Sequence, residues 1–208
     1  MIGIIDYKAG NLTSVARAIQ YLGFKWIITS DPEKLKNCER IIFPGVGAAK
    51  SAMESLKEFG LDEFLKETFK KGVPILGICL GTQIIMKESE EDGGTSTLGL
   101  IPGKVFRFPD PLIWKGGVLK VPHMGWNGVS WLREHPVIKG LDPDFEYYFV
   151  HSYYPRPEDE NLVLGLTFYG INFPSGIAYE NLVAFQFHPE KSGRPGLQIL
   201  KNFCEWNP

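Results

Sequence analysis

Short apolar runs recur along the first half of the chain, and each leads into a stretch with helical periodicity. Met1 to Ile5 is continuous rather than alternating, as expected of a strand buried on both faces. Asn11 can cap the helix that follows. In it Leu12, Val15, Ala16, Ile19 and Leu22 fall at i, i+3, i+4, i+7 and i+10 on one face, and Gly23 ends it. Phe24 to Thr29 predicts a second strand and Asp31 to Asn37 a short capped helix. Ile41 to Phe43 predicts a third strand, stopped by Pro44-Gly45-Val46-Gly47. Helices over about Ala48 to Phe59 and Leu61 to Lys71 precede a fourth strand, Val73 to Ile78, and a helix from Cys79 to about Glu88. This alternation predicts a parallel sheet with helices on both faces.

After Gly93 the pattern changes. Lys104 to Phe108, Val118 to Val121, Gly128 to Leu132, Tyr147 to Val150, Leu162 to Phe168, Gly176 to Tyr179 and Leu182 to Phe187 read as strands joined by Gly/Pro turns. A last helix spans about Pro195 to Glu205. The expected architecture is α/β: one domain over residues 1–208, with a central, mostly parallel sheet flanked by helices and antiparallel strands added to the same sheet in the second half. No repeat and no linker divides the chain.

Composition narrows the function classes. Lys and Arg number 22 against 24 Asp and Glu, so there is no basic surplus to neutralise nucleic-acid phosphates. The longest apolar runs are about six residues, against the ~20 a membrane helix needs. The start reaches Asp6 with no basic region, unlike a signal peptide. Cys38, Cys79 and Cys204 are too few and scattered for a disulfide framework, and no Cys/His spacing suggests zinc. The expectation is a soluble protein of a reducing compartment, the cytoplasm.

Candidate chemistry centres on Gly77-Ile78-Cys79-Leu80-Gly81, at the junction of a buried strand and a helix. The string has the form of a nucleophile elbow with Cys in place of Ser. A sharp turn there strains the nucleophile's backbone while flanking glycines allow close passage, and the helix N-terminus favours an anion. A buried structural Cys is the alternative, so the site needs a base. Of the four histidines, His135 precedes a proline in a polar stretch and reads as a solvated loop residue. His123 and His151 each read as hydrogen-bonded structural groups. His188 ends an apolar strand and precedes Pro189-Glu190. In an extended segment positions i and i+2 share a side, so Glu190 can hold one ring nitrogen of His188 while the other faces the thiol.

Cys79 with Gly81-Thr82-Gln83, together with His188-Pro189-Glu190 and Pro44-Gly45-Val46-Gly47, resembles the triad-type (class I) glutamine amidotransferase family. Asp6-Tyr7, Gly10-Asn11, Pro122 to Asn127, Tyr148 to Tyr153 and Gln186 to Ser192 are, in order, similar to the glutaminase subunits of imidazole glycerol phosphate synthase, of histidine biosynthesis. The resemblance covers essentially the whole chain.

It implies Cys79 as nucleophile, His188 as general base and acid, and Glu190 as orienter. It implies an oxyanion hole from the N–H of Leu80 and a peptide around Val46 and Gly47. It implies Gln83 and Glu91 on the glutamine substrate, Glu91 facing the α-ammonium, and the Ser152–Tyr153 backbone on the α-carboxylate. A surface charge is the alternative for Glu91. Trp126, Tyr148 and Lys191 match the docking face for a (β/α)8 cyclase subunit, although the two aromatics could equally be core residues and Lys191 a solvated surface charge. Neither metal nor organic cofactor is implied. The glutaminase of another amidotransferase, or a non-catalytic relative, remains an alternative. Two departures stand out: Lys8 replaces the family's usual Gly, and residues 110–116 read as an inserted, exposed hairpin tip.

Overall fold

The computed structural model describes residues 1–208. The strands are β1 (Ile2–Ile5), β2 (Trp26–Thr29), β3 (Arg40–Gly45), β4 (Ile75–Cys79), β5 (Glu88–Ser89), β6 (Thr95–Ser96), β7 (Gly103–Arg107) and β8 (Leu112–Trp114). They continue as β9 (Gly117–Leu119), β10 (His123–Gly128), β11 (Ser130–Trp131), β12 (Glu146–His151), β13 (Tyr153–Pro157), β14 (Val163–Tyr169), β15 (Ile171–Tyr179) and β16 (Leu182–Phe185). The helices are α1 (Leu12–Tyr21), α2 (Pro32–Leu35), α3 (Ala49–Glu58), α4 (Leu61–Lys70), α5 (Leu80–Ile84) and α6 (Gly193–Glu205).

The main sheet has eight strands in the order β11-β14-β15-β16-β4-β3-β1-β2. The five from β16 to β2 are parallel, and β15, β14 and β11 extend that edge antiparallel. Its period-2 alternation sends neighbouring residues to opposite cores. Ile4, Ile42, Leu76 and Val183 pack with Val15 and Ile19 of α1 and Leu200 and Phe203 of α6. Ile5, Ile41, Phe43 and Ile75 pack with Leu56 of α3 and Leu65 of α4. Each such fully buried aliphatic side chain contributes roughly 1.5–3 kcal/mol.

The expected α/β architecture is present, with one correction. Not all second-half strands join the main sheet. β10 and β12 form their own antiparallel pair, β13-β7-β5-β6 form a third sheet, and β8 and β9 form a hairpin. That hairpin is the expected exposed tip, with Ile113 and Val118 outward, although Leu112 at its base is buried. The sequence pattern does not announce strands β10 and β13, because Gly125 in the one and the two prolines of the other break it.

Three local expectations also change. The helix after Cys79 ends at Ile84, not near Glu88. The carbonyls of Ile84, Ile85 and Met86 are taken by the N–H groups of Leu98, Ile101 and Gly99, so tertiary bonds replace the next helical turn. β3 is not stopped by Pro44 but runs on to Gly45. Its pairing with β1 ends at Ile42, so Pro44 lies where only β4 flanks it. His135 is no solvated loop residue. Its Nδ1 accepts from the Val137 N–H at 3.2 Å and its ring meets Trp206 edge-on, and burial together with Arg133 lowers its pKa to about 4.

Lys8 has φ +65° and bridges to Glu58 at 3.2 Å, its ammonium also lying over the Phe59 ring. No helix is long and apolar enough to cross a membrane.

Candidate active site

Cys79 ends β4 and caps α5 with φ +53° and ψ −105°, a backbone that L residues seldom adopt. The strain is held by close packing on either side. A Cβ at Gly81 would collide with the Phe43 carbonyl of β3, so α5 can approach the sheet this closely only with glycine there. Thr82 Oγ1 donates to the Phe185 carbonyl at 2.6 Å and ties the same helix to β16. The Cys79 thiol is buried, 3.9 Å from the Val150 carbonyl and 3.8 Å from Gln186 Nε2.

β16 runs parallel beside β4, and the chain just beyond it brings His188 to the thiol. His188 Nδ1 lies 2.8 Å from Glu190 Oε1, with both side chains buried. The segment between them is not the extended one expected from the sequence but a 3-10 turn over Pro189–Lys191. The expected pair therefore forms, through a tight turn that starts at the proline. The His188 N–H donates to the Tyr148 carbonyl, and its own carbonyl accepts from Ser192 Oγ at 2.6 Å. Nε2 makes no formed hydrogen bond. Burial by itself lowers the pKa of His188, but the adjoining Cys79 sulfur and the Glu190 carboxylate outweigh it and raise the pKa to about 9. That shift favours the protonated ring.

A cleft of about 350 Å³ opens over the thiol. It brings Val46, Gly47, Leu80, Gln83, Glu91, Ser152 and Tyr153 to its walls, all proposed from the sequence. Gly47 has φ +102°, and a Cβ there would meet nothing within 4 Å, so conformation rather than space demands glycine. Gln83 Nε2 donates to the Tyr153 carbonyl at 2.9 Å and to Gln186 Oε1 at 3.1 Å. Glu91 is half-buried rather than a solvated charge, and its Oε2 accepts from the Ala49 N–H at 2.6 Å. Burial raises its pKa against that bond.

Trp126, Tyr148 and Lys191 form a second group. Trp126 is 54% exposed, which excludes the core-aromatic reading for it, and Tyr148 is half-buried. Their rings meet edge-on at 6.0 Å, and the Lys191 ammonium lies 5.8 Å above Tyr148. Tyr148 in turn lies 6.5 Å from the His188 ring, so this patch adjoins the thiol–imidazole pair directly.

Two neighbours of the thiol lie within strings that carry the family resemblance, but the sequence assigns neither a role. Gln186 lies two residues before His188, and that i, i+2 relation was the available signal. Tyr7 is fully buried with its hydroxyl unpartnered against Gly45, and burial, with Cys79 adding, pushes its pKa up. The Asp6-Tyr7 string marks Tyr7 as part of the resemblance without indicating that its hydroxyl lies near the thiol. No cluster of three His, Cys, Asp or Glu side chains is arranged to hold a metal.

A family model described as glutamine amidotransferase class-I matches residues 3–206. The chain is 51% identical over 207 residues to the imidazole glycerol phosphate synthase subunit HisH of Desulfovibrio desulfuricans, covering 99% of this chain and 94% of that one. It is 45% identical to the subunit of the same name from Acinetobacter baylyi, covering 99% and 98%. A crystal structure described as a glutamine amidotransferase superposes with a TM-score of 0.73 at 20% identity, covering 98% of each chain. A glutamine amidotransferase from Thermotoga maritima superposes with a TM-score of 0.64 at 16% identity, covering 98% of this chain and 82% of that one. At those identities the structural likeness concerns the fold alone.

Proposed function

The chain belongs to the class-I glutamine amidotransferases, within the HisH subunits of imidazole glycerol phosphate synthase, and on that premise we propose that it hydrolyses L-glutamine with Cys79, His188 and Glu190 as its triad. Residues 1–208 act as one amidotransferase domain. The observation that carries the reading is the buried His188 ring, held by Glu190 at 2.8 Å, together with a cysteine at a positive-φ elbow.

The Cys79 thiolate attacks the side-chain amide carbon, and its C–N bond then breaks. Charge on the tetrahedral oxygen is met by the Leu80 N–H and by a peptide N–H around Val46 and Gly47, each worth on the order of 3 kcal/mol. His188 gives its Nε2 proton to departing ammonia. It then takes a proton from water, which attacks the thioester and releases glutamate. Glu190 keeps the ring oriented and stabilises its charge. Glu91 receives the substrate ammonium, and the Ser152–Tyr153 backbone its carboxylate. None of these steps calls on a metal or organic cofactor.

Ammonia then passes to a (β/α)8 cyclase subunit bound at Trp126, Tyr148 and Lys191. There it enters the formation of imidazole glycerol phosphate and AICAR. The reading is supported by the position of exposed Trp126, with half-buried Tyr148 and Lys191, beside the triad. A cytoplasmic setting accords with three free thiols and a biosynthetic role. The test is a glutaminase assay of the chain with and without the cyclase subunit and its nucleotide ligand. Glutamate production that rises on adding the liganded partner is expected, and none under any condition would overturn the proposal.

A further inference from the structure

His123 and His151 face each other across the β10–β12 pair, and neither has a role in the chemistry above. Both are buried. Their ring nitrogens, His123 Nδ1 and His151 Nε2, lie 3.0 Å apart. The outer nitrogens are also engaged. His151 Nδ1 lies 2.9 Å from the Tyr153 carbonyl, and Asn127 Nδ2 lies 3.3 Å from His123 Nε2.

The partners dictate the protons. The Tyr153 carbonyl only accepts, so His151 Nδ1 donates, and in a neutral ring Nε2 then accepts. That makes His123 Nδ1 a donor and its Nε2 the acceptor for Asn127, whose second amide hydrogen goes to the Phe168 carbonyl at 2.9 Å. The result is a one-way chain, Asn127 to His123 to His151 to Tyr153, with no mismatched donor. Desolvation lowers both imidazole pKa values, His123 to about 4 and His151 to about 3, so the two rings are neutral together at pH 7. The His123 ring is clamped between Phe149 and Tyr169, at 4.8 and 4.1 Å.

The chain ends at a functional point. The Tyr153 carbonyl also accepts from Gln83, so two donors fix it, while the Ser152 carbonyl accepts from the Phe108 N–H at 3.0 Å. The backbone assigned above to the glutamine carboxylate is therefore pinned through both carbonyls. The other end of the chain, Asn127, is the sequence neighbour of exposed Trp126 in the docking patch.

We propose that His151 and His123 are positioning residues that hold the Ser152–Tyr153 backbone in place for the α-carboxylate of glutamine, from the strand that carries Trp126. The proposal rests on the glutaminase reading and deepens it. A well-placed buried bond to this segment is worth about tenfold in binding.

The test uses the full chain in complex with its cyclase subunit and nucleotide ligand. His151→Phe keeps a ring but not the bonds, and should raise KM for glutamine about tenfold with kcat within about twofold of wild type. His151→Asn places an amide N–H where Nδ1 was and should recover most of that loss. His123→Phe keeps the stacking and should raise KM by a smaller factor. Nitrogen-15 NMR of the wild-type chain should find both rings neutral with the proton on Nδ1, a readout that needs neither turnover nor a folded variant. An Nε2–H tautomer at either ring, or an unchanged KM in folded His151→Phe, overturns the proposal. A wild-type complex that does not hydrolyse glutamine overturns the functional reading instead, and the tautomers then decide on the hydrogen-bond chain by themselves.

Discussion

The carboxylate of Glu91 accepts a hydrogen bond from the backbone N–H of Ala49 at 2.6 Å, joining the turn after β5 to the first residue of α3. Ala49 follows Gly47 by two residues, so the proposed ammonium ligand also anchors the end of the proposed oxyanion segment. The helix N-terminus favours the charge it receives. Glu91→Ala should therefore lower kcat for glutamine hydrolysis as well as raise KM. A rise in KM alone would make Glu91 a substrate ligand without an anchoring role.

Cys79→Ala should abolish glutamine hydrolysis, by on the order of 10⁶, while leaving fold and partner affinity unchanged. Strain at the elbow is relieved by no change of backbone, and the lost sulfur is small. Residual turnover of even a few per cent in a steady-state assay would exclude Cys79 as nucleophile.

Glu190→Gln should cost less than His188→Ala, roughly 10⁴ against roughly 10⁶ in kcat. The amide keeps the shape of the turn but loses the anion that stabilises the imidazolium, whereas alanine removes the proton carrier. The reverse order of severity would remove Glu190 from the orienting role.

His188 should titrate with a midpoint near 9 by NMR, against about 6.5 for a free imidazole. A raised pKa means that the folded protein favours the protonated ring. Its contribution to stability is full below about 6.5 and is lost as pH rises through about 9. Cys79→Ala and Glu190→Gln each remove a partner that raises the value while burial, which lowers it, stays. Both midpoints should move down. An unmoved midpoint in both variants would place the cause of the shift elsewhere.

Gly47→Val should blunt activation by the liganded partner and leave partner affinity unchanged. At φ +102° a β-branched residue is strained, so the peptide cannot turn freely between presenting its carbonyl and its N–H to the cleft. Loss of one oxyanion donor is worth roughly 10²–10³ in rate. Activation by the wild-type margin in the variant, or full glutaminase activity of the isolated wild-type chain, would rule out such a switch.

The residues around the thiol were legible from local order. Gly77 to Gly81 carries an elbow in five consecutive positions, because close packing of a helix on a strand needs glycine wherever backbones touch. His188 and Glu190 were readable as a pair because two residues of chain cannot carry them apart, even though a tight turn rather than an extended segment joins them. The parallel half of the sheet was readable because each strand is a continuous apolar run closed by a helix of matching period.

Tertiary structure alone decided the rest. The early end of α5 depends on N–H groups of residues 98–101, which no local propensity announces. The division of the second half into separate sheets depends on which edge each short strand finds. The pairing of His123 with His151 depends on the register of β10 against β12. Each of those residues, taken singly, is only a histidine near a proline or a tyrosine. Hydrogen-bond direction is a property of partners, and the chain of donors that ends at Tyr153 exists only once distant segments lie side by side.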